Sequence, residues 1–443
     1  MKKPRSLTYR DSGVDVDAGN RVVELIRGYA AATARPESLG GIGGFGGLVS
    51  LPAATRAGPG PARAWREPVL VSGADGVGTK LKIAFALDRH DTVGIDCVAY
   101  NVNDIVCSGA EPLFFLDYIG VGRLVPERVA EVVKGVAAGC VAAGVVLAGG
   151  ETAELPGFYA EGEYDLVGFA VGVVERDRII DGSRVAPGDV LVGLASTGLH
   201  SSGFSLVRRA VLEVARRRLD ERVEEFGRSL GEELLTPTAI YPRLLLGLME
   251  RFDVRAVANI TGGGFYDNIP RVLPDGLGVR VRRGAWAEPP VFDFVQRAGN
   301  VEDVEMFRTF NMGIGLAVVV PADQADAFCR AVAGWQDPLA GPAGATPPAV
   351  DAATPDGTAT PDGTAPPAVD AATPDGTAPP AVDAATPDGT APPAVDPVLE
   401  PLVAMASPPR RAWTIGEVVP VERLGAAAPV PSRRVVITDK RGR

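Results

Sequence analysis

The sequence predicts an α+β protein built from two α/β domains, and three features lead to this prediction. Short apolar runs alternate along the chain with amphipathic segments of helical period. The length of 443 residues suits two domains. One stretch, at about 337–409, has a composition unlike the rest of the chain. We place an N-terminal domain at 1–175 and a C-terminal domain at 176–443, with a candidate junction at the turn 186–188.

Apolar and β-branched runs bounded by turn residues predict the strands. They lie at 68–72, 145–148, 166–174, 189–195, 313–320, 413–418 and 434–437. The segment 126–143 predicts a helix, because Pro126 suits a first helical turn and valines recur with helical spacing. A second helix is predicted at 205–218.

The stretch 337–409 is rich in Ala, Pro, Asp, Gly and Thr, and part of it repeats with a period of about 13 residues. Dense proline excludes helix interiors and central strands. With few large apolar side chains, the stretch cannot offset its ordering entropy by burial. We therefore predict a disordered, acidic insertion in the C-terminal domain. The alternative is a solenoid, but solenoid repeats are usually longer and carry apolar stacking positions.

Composition argues against several classes of protein. The net charge of −11 disfavours binding to nucleic acid, although local cations or helix N-termini could still hold a small anionic substrate. No apolar run reaches the roughly 18 residues that span a membrane. The N-terminal residues are polar and basic without a signal-like core. The four cysteines form no C-x-x-C pair. We expect a cytoplasmic protein with no membrane partner.

A glycine-rich segment at 40–47 surrounds Phe45. Residues 41–46 formally match the dinucleotide fingerprint, but no strand precedes them and no clear helix follows. Such a segment predicts a mobile loop whose backbone can approach phosphates closely. The alternative is a flexible surface turn.

A second motif, Asp75-Gly-Val-Gly-Thr-Lys80, follows the first predicted strand. It is not a Walker A loop, because a threonine precedes the lysine. A carboxylate there could still hold Mg²⁺ while Lys80 neutralises phosphate charge. The alternative is a structural turn.

Oxygen-bearing side chains recur at Asp96, Asn103 and Asp104. On a helix, Asn103 would lie on the face of Asp96, about two turns further along. Such side chains suit Mg²⁺, which takes one or two carboxylates together with waters and phosphate oxygens. The alternative is a solvated helix face.

Glu151 and Glu154 follow another predicted strand, where they could serve a metal, proton transfer or simple capping. His200 lies in a loop of small residues at a strand end, so a general acid–base role and a structural role are both open. His90, between two charged residues, is predicted to lie at the surface.

In their order along the chain, these motifs resemble the phosphoribosylformylglycinamidine cyclo-ligases, also called aminoimidazole ribonucleotide synthetases. Each motif is weak by itself, but the ordered series is specific. The matching stretches lie at 7–15, 41–47, 71–80, 103–118, 149–157 and 260–270.

The resemblance implies an ATP-dependent reaction on formylglycinamidine ribonucleotide. ATP would phosphorylate the formyl amide oxygen, and an amidine nitrogen would then close the imidazole ring as phosphate leaves. The amide oxygen is a poor leaving group, and phosphorylation allows it to leave as phosphate. Neutralising the phosphate charges assists the phosphoryl transfer. The resemblance also implies a homodimer whose N-terminal sheets pair across the interface.

The resemblance further implies roles for individual residues. Lys80, Asp104 and His200 would be catalytic, with Lys80 steadying phosphates and His200 assisting proton transfer. Mg²⁺ would be held by Asp75, Asp96 and Asp104. The residues implied to bind the nucleotide, including the lid at 41–47, are Gly43, Gly44, Phe45, Gly46, Asp75, Gly78, Thr79, Lys80 and Glu151.

Two features depart from the family pattern. Asn259 stands where the family often has a histidine, and the proline-rich insertion is extra. Because long surface insertions cost little stability, we predict that the insertion is dispensable for catalysis. The alternatives are a thiamine-phosphate kinase or a selenophosphate synthetase of the same superfamily, or a catalytically silent paralogue. A selenophosphate synthetase usually has a reactive Cys near its N-terminus, whereas the first cysteine here is Cys97.

Overall fold

The computed structural model describes residues 15–39, 47–51, 64–336, 395–424 and 434–438. The glycine-rich residues 40–46 and the interior of the insertion, 337–394, lie outside the described residues, so what the sequence predicts for them stays a prediction. The described helices are α1 Val16–Ala31, α2 Leu81–Leu87, α3 Val93–Cys107, α4 Pro126–Ala143, α5 Phe204–Val207, α6 Leu230–Leu234, α7 Pro242–Met249, α8 Gly264–Asn268, α9 Pro290–Gly299, α10 Asp303–Thr309, α11 Ala325–Ala333 and α12 Glu400–Ala406. The described strands are β1 Pro68–Gly76, β2 Glu111–Val121, β3 Val146–Glu154, β4 Tyr164–Glu175, β5 Val190–Ala195, β6 Arg222–Val223, β7 Arg228–Ser229, β8 Ala256–Asn259, β9 Leu277–Arg282, β10 Ile314–Val320, β11 Ala412–Pro420 and β12 Val435–Thr438.

The first sheet has the strand order β1-β4-β2-β3 in the described part of the chain. β4 pairs antiparallel with β1 and with β2, whereas β2 and β3 run parallel. A parallel pair needs a crossover, which α4 provides. The predicted helix 126–143 is confirmed: Pro126 opens α4, and Gly144, in the left-handed conformation, ends it.

Two strands of this sheet extend further than predicted, into the glycine-containing segments that follow their predicted ends. β1 continues to Gly76 and β3 continues to Glu154. On β3, Gly150 pairs with Asp117 of β2, and a Cβ atom at Gly150 would lie 1.7 Å from Asp117 Oδ1. Glycine is therefore required at this position, because any larger residue would collide with the Asp117 side chain.

The second sheet has the strand order β12-β9-β11-β5-β10-β8 among the described residues. β12 runs parallel to β9, and the other neighbours pair antiparallel. One face packs against α7 and α11, where Leu194, Leu245 and Phe328 share a buried cluster. The two sheets lie on either side of the predicted domain boundary at 175, which stays a prediction. The predicted helix 205–218 is shorter: α5 continues as a π-helix, Arg208–Val214, before Arg216 turns left-handed.

Within the described residues, no helix combines the length and the apolar composition needed to cross a bilayer.

The predicted end of the insertion, at 409, is wrong. Residues 395–409 are described, and they include α12, which packs against α4. Leu399 and Ala406 are fully buried and Leu402 is nearly so. The N–H of Ile240 donates to the carbonyl of Ala406 at 2.9 Å. Proline remains frequent here, but apolar side chains at helical spacing give this part of the segment a face to bury.

Two deletions test the role of α12 separately from that of the repeats. Removing 340–392 is expected to leave thermal stability and turnover close to wild type, because α12 remains, together with Asp396, whose carbonyl accepts from the N–H groups of Leu399 and Glu400. Removing 340–409 also deletes Leu399 and Leu402 from the core, at about 3–6 kcal/mol for two buried leucines. Thermal melts and turnover assays check this. Equal melting temperatures for the two deletions would contradict a structural role of α12.

Candidate active site

Helix α3 carries the predicted cluster of Asp96, Asn103 and Asp104, and it places two of these residues against polypeptide backbone. Asp96 Oδ1 accepts from the N–H and the hydroxyl of Thr238, at 2.9 and 2.6 Å. Asn103 donates to the carbonyl of Ala239 at 2.8 Å and accepts from the N–H of Tyr241 at 2.9 Å. Asp96 and Asn103 thus hold residues 236–241, which we call the crossing segment, against α3.

Lys80 and Asp96 form a buried ion pair beside this segment. Lys80 Nζ lies 2.8 Å from Asp96 Oδ2 and also donates to the carbonyls of His200, at 3.0 Å, and Thr236, at 2.7 Å. Three acceptor groups require all three N–H groups of an ammonium, which favours the ionised pair. Burial lowers the pKa of Lys80 and raises the pKa of Asp96, and each charge opposes the shift of the other. Contact of Lys80 with phosphate, or of Asp96 with Mg²⁺, would require this pair to separate.

His200 is buried in the loop that Lys80 holds. Its side chain is 3% exposed, its φ is 61°, and Nε2 accepts from the N–H of Thr197 at 3.3 Å. Burial, with a smaller contribution from the charge of Lys80, lowers the pKa of His200 to about 3. The imidazole is therefore neutral near pH 7, and it can act on a substrate proton only if the loop opens.

The prediction that His90 lies at the surface is wrong. The side chain is buried, with Nδ1 3.0 Å from the hydroxyl of Tyr164 and Nε2 3.2 Å from Asp88. The charged neighbours in sequence, Arg89 and Asp91, suggested exposure, but the ring turns inward toward Phe85 and Tyr164.

Asp75 and Asp104 are exposed, unlike Asp96. Asp75 lies near the end of β1, and partial desolvation raises its pKa. Desolvation also raises the pKa of Asp104, and the charge of Asp75 raises it further, whereas Asn259 and Arg271 lower it. Asp75 and Asp104 are therefore near enough to repel each other.

Asp117 joins these two residues, although the sequence analysis did not assign it to the site. Both Asp75 and Asp117 pair across the sheet with Gly168 of β4, so their side chains share one face. The ring of Phe115 and the amide of Asn101 lie over Gly168, between the two aspartates. Among the described residues, Asp117 Oδ2 is a buried oxygen without a hydrogen-bond partner. Desolvation raises the pKa of Asp117 to about 7. We call Asp75, Asp104 and Asp117 the acidic trio.

Asn101 of α3 faces the same part of the sheet. Its Nδ2 donates to the carbonyls of Asp75, at 3.2 Å, and Cys97, at 2.8 Å, while its Oδ1 is buried and has no partner within the described residues. Two oxygens that lack donors, in a region with several carboxylates, form a set that a hard cation would satisfy. In the described part of the chain, no three acidic, histidine or cysteine side chains enclose a metal site by themselves. A cation bound here would therefore have to keep waters or share oxygens of a bound phosphate.

The remaining predicted residues differ in their placement. Thr79 is exposed, with Oγ1 3.0 Å from Ser205 Oγ, and Gly78 is exposed with a positive φ of 72°. Glu151 is exposed on β3. Glu154 accepts from the N–H groups of Asp15 and Leu124, at 2.7 and 2.8 Å, which matches its capping alternative. Gly43, Gly44, Phe45 and Gly46 lie outside the described residues.

Comparison with family models gives two matches. The model described as "AIR synthase related protein, N-terminal domain" matches residues 63–174. The model described as "AIR synthase related protein, C-terminal domain" matches residues 186–341. Together they cover more than half of the chain, including all three members of the acidic trio.

Curated relatives match most of their own length. A phosphoribosylformylglycinamidine cyclo-ligase of Geobacillus thermodenitrificans is 57% identical over 317 residues, which are 72% of this chain and 89% of the relative. One from Anaeromyxobacter sp. is 60% identical over 324 residues, which are 73% of this chain and 91% of the relative. Among solved structures, the hydrogenase maturation protein HypE in complex with ATP superposes with a TM-score of 0.56 at 15% identity, covering 97% of this chain and 93% of that chain. The last match shows a shared fold alone.

Proposed function

Because the chain belongs to the phosphoribosylformylglycinamidine cyclo-ligase family, we propose that the acidic trio and the turn after β1 are where this enzyme handles ATP. The enzyme is an ATP-dependent ligase of purine biosynthesis, which converts formylglycinamidine ribonucleotide to aminoimidazole ribonucleotide. The observation that carries the proposal is the orphaned, buried Asp117 Oδ2, on the sheet face that also carries Asp75.

The reaction transfers the γ-phosphoryl group of ATP to the formyl amide oxygen. An amidine nitrogen then attacks the same carbon and loses a proton, and the C–O bond breaks to release phosphate and close the ring. The difficulty is electrostatic, because the transferred group and its leaving group carry several negative charges. A site for this step needs cations, and the acidic trio by itself supplies the opposite charge.

Mg²⁺ resolves this conflict, and we propose that Asp75, Asp104 and Asp117 hold it. When bound, the ion neutralises phosphate charge. Asp117 replaces Asp96 in the set that the sequence predicted, because Asp96 already binds Lys80 and Thr238. The backbone at Gly78 and Thr79 lies between this sheet edge and the His200 loop, which suits it to contact phosphates.

We assign Lys80 and His200 indirect roles in this conformation. Lys80 fixes the carbonyls of His200 and Thr236, and this ties the turn after β1 to the C-terminal half. The neutral His200 ring accepts a backbone N–H, and proton transfer by this ring would need prior opening of the loop. The proposed nucleotide contacts of Glu151 and of residues 43–46 rest on the resemblance alone.

A homodimer through the first sheet is supported by three exposed apolar side chains on one face. Leu70 of β1 is 65% exposed, and Tyr118 of β2 and Phe169 of β4 are each 40% exposed. The cross-strand register places all three on the same side of the sheet. Several large apolar side chains exposed on one sheet face are typical of a protein interface. Light scattering is expected to give twice the mass of one chain, and a monomer at micromolar concentration would contradict this proposal.

The function is tested by product analysis on the Asp75→Asn variant. Wild type should release ADP only when formylglycinamidine ribonucleotide is present, in a 1:1 ratio with aminoimidazole ribonucleotide, as the reaction stoichiometry requires. Asp75→Asn is expected to lower Mg²⁺-dependent turnover by about 100-fold or more, as expected for losing a group that acts on transition-state charge. Asp275→Asn, an exposed aspartate outside the site, serves as the control. Wild-type turnover in Asp75→Asn would remove Asp75 from the site.

A further inference from the structure

The side chain of Asn259 makes one specific contact between the two halves of the chain. Asn259 is the last residue of β8, in the C-terminal half, and its Nδ2 donates to Asp104 Oδ1 of α3 at 2.8 Å. Its strand is held on the other side by β10, where Asn259 pairs with Leu316. The amide therefore extends from a paired strand of the second sheet to a carboxylate of the first half.

We propose that Asn259 is a positioning residue for the metal site, which pins Asp104 Oδ1 so that Oδ2 is presented to the cation. This inference rests on the proposed function. It adds a residue of the second sheet to a site whose carboxylates all come from the N-terminal half, so the geometry of the site depends on how the two halves are held.

Asp104 needs such a partner because of where it lies. The carboxylate is exposed near the end of α3, and Asp75 repels it. Asn259 is the side chain that hydrogen-bonds to Asp104 within the described residues, and Asp104 Oδ2 carries no hydrogen bond there. Without Asn259, the carboxylate can rotate away from Asp75, and the two oxygens needed by one cation separate. Residues that hold a metal ligand in this way are worth about 10–100-fold in metal affinity or activity.

The chemistry of the amide suits this task. An amide N–H orients a carboxylate without neutralising its charge, so the full charge remains for the cation. A lysine in the same place would compete with the cation for Asp104. A histidine carries a ring N–H donor, so Asn259→His preserves a donor, whereas Asn259→Leu has a similar size and no donor.

The experiment measures Mg²⁺ binding to the full-length protein without ATP, by calorimetry and by the Mg²⁺-induced shift in melting temperature, and then kcat and KM for ATP at saturating Mg²⁺. Asn259→Leu is expected to weaken Mg²⁺ binding about tenfold or more and to lower kcat, with its melting temperature in EDTA unchanged. Asn259→His is expected to keep most of the wild-type Mg²⁺ affinity and most of the wild-type kcat. Asn20→Leu, at an exposed position on α1, is the control.

Three results separate the possibilities. Unchanged Mg²⁺ binding in Asn259→Leu, together with lost binding in Asp104→Asn, overturns the positioning role and leaves the metal site standing. Unchanged binding in Asp104→Asn as well shows that Asp104 is not a ligand, and the proposed site itself fails. An equal loss of Mg²⁺ affinity in Asn259→Leu and Asn259→His overturns the inference. The N–H donor that histidine shares with asparagine would then have no effect on metal binding.

Discussion

Replacing Asp117 with Asn is expected to abolish Mg²⁺-dependent turnover and, without Mg²⁺, to make the protein more stable. The pKa of this carboxyl is raised to about 7 by desolvation, against about 3.9 in an unfolded chain. Between these values the folded state binds the extra proton, so folding stability falls as pH rises from about 4 to 7. Above pH 7 the full penalty for the buried charge remains. Asparagine carries no charge and avoids this penalty.

The expected gain is about 1–3 kcal/mol at pH 8 and close to zero at pH 4, with the penalty reduced because Asp117 is partly exposed. Thermal melts of both proteins in EDTA at the two pH values give the comparison, and Asp275→Asn provides the control for a surface charge. Adding Mg²⁺ should raise the melting temperature of wild type and have little effect on the variant. A variant that is less stable than wild type at pH 8 in EDTA would show that Asp117 has partners, and it would remove the main support for the metal site.

The sequence predicted those elements whose ends carry local signals. Pro126 and Gly144 bracket α4, and both bounds were correct. Strand ends at glycines were misjudged, because Gly150 is required by the approach of Asp117 from a neighbouring strand, which a linear sequence does not show. Helix α12 was missed for a different reason: its apolar residues at helical spacing lie within a proline-rich segment, whose overall composition predicted disorder.

For the site, the shared face along α3 was correct, and the structure adds protein partners that the sequence did not indicate. Asp96 and Asn103 share a helix face, as predicted, yet they bind the crossing segment, which lies more than 130 residues later in the chain. Asp117 was missed because it lies within a strand of large apolar residues. The position of this aspartate in an apolar strand could have indicated a functional site. Burying a carboxylate costs free energy, and such residues are often found at functional sites.

The second large effect is expected for Lys80→Met, which should destabilise the protein by about 3–5 kcal/mol. The substitution leaves Asp96 buried without its cation and removes the N–H donors from the carbonyls of His200 and Thr236. The crossing segment and the His200 loop then lose their common attachment to the N-terminal half. Urea unfolding and turnover at saturating ATP measure the two consequences.

The double variant Lys80→Met with Asp96→Asn decides between a structural and a phosphate-binding role for Lys80. Asparagine removes the unpaired charge and keeps an acceptor for Thr238, so the double variant should regain a large part of the lost stability. If Lys80 instead contacts phosphate, Lys80→Met would raise KM for ATP or lower kcat with little loss of stability, and Asp96→Asn would restore nothing. Recovery of stability without full recovery of kcat is the result we expect, because the restored fold still lacks the lysine that fixes the carbonyl of His200.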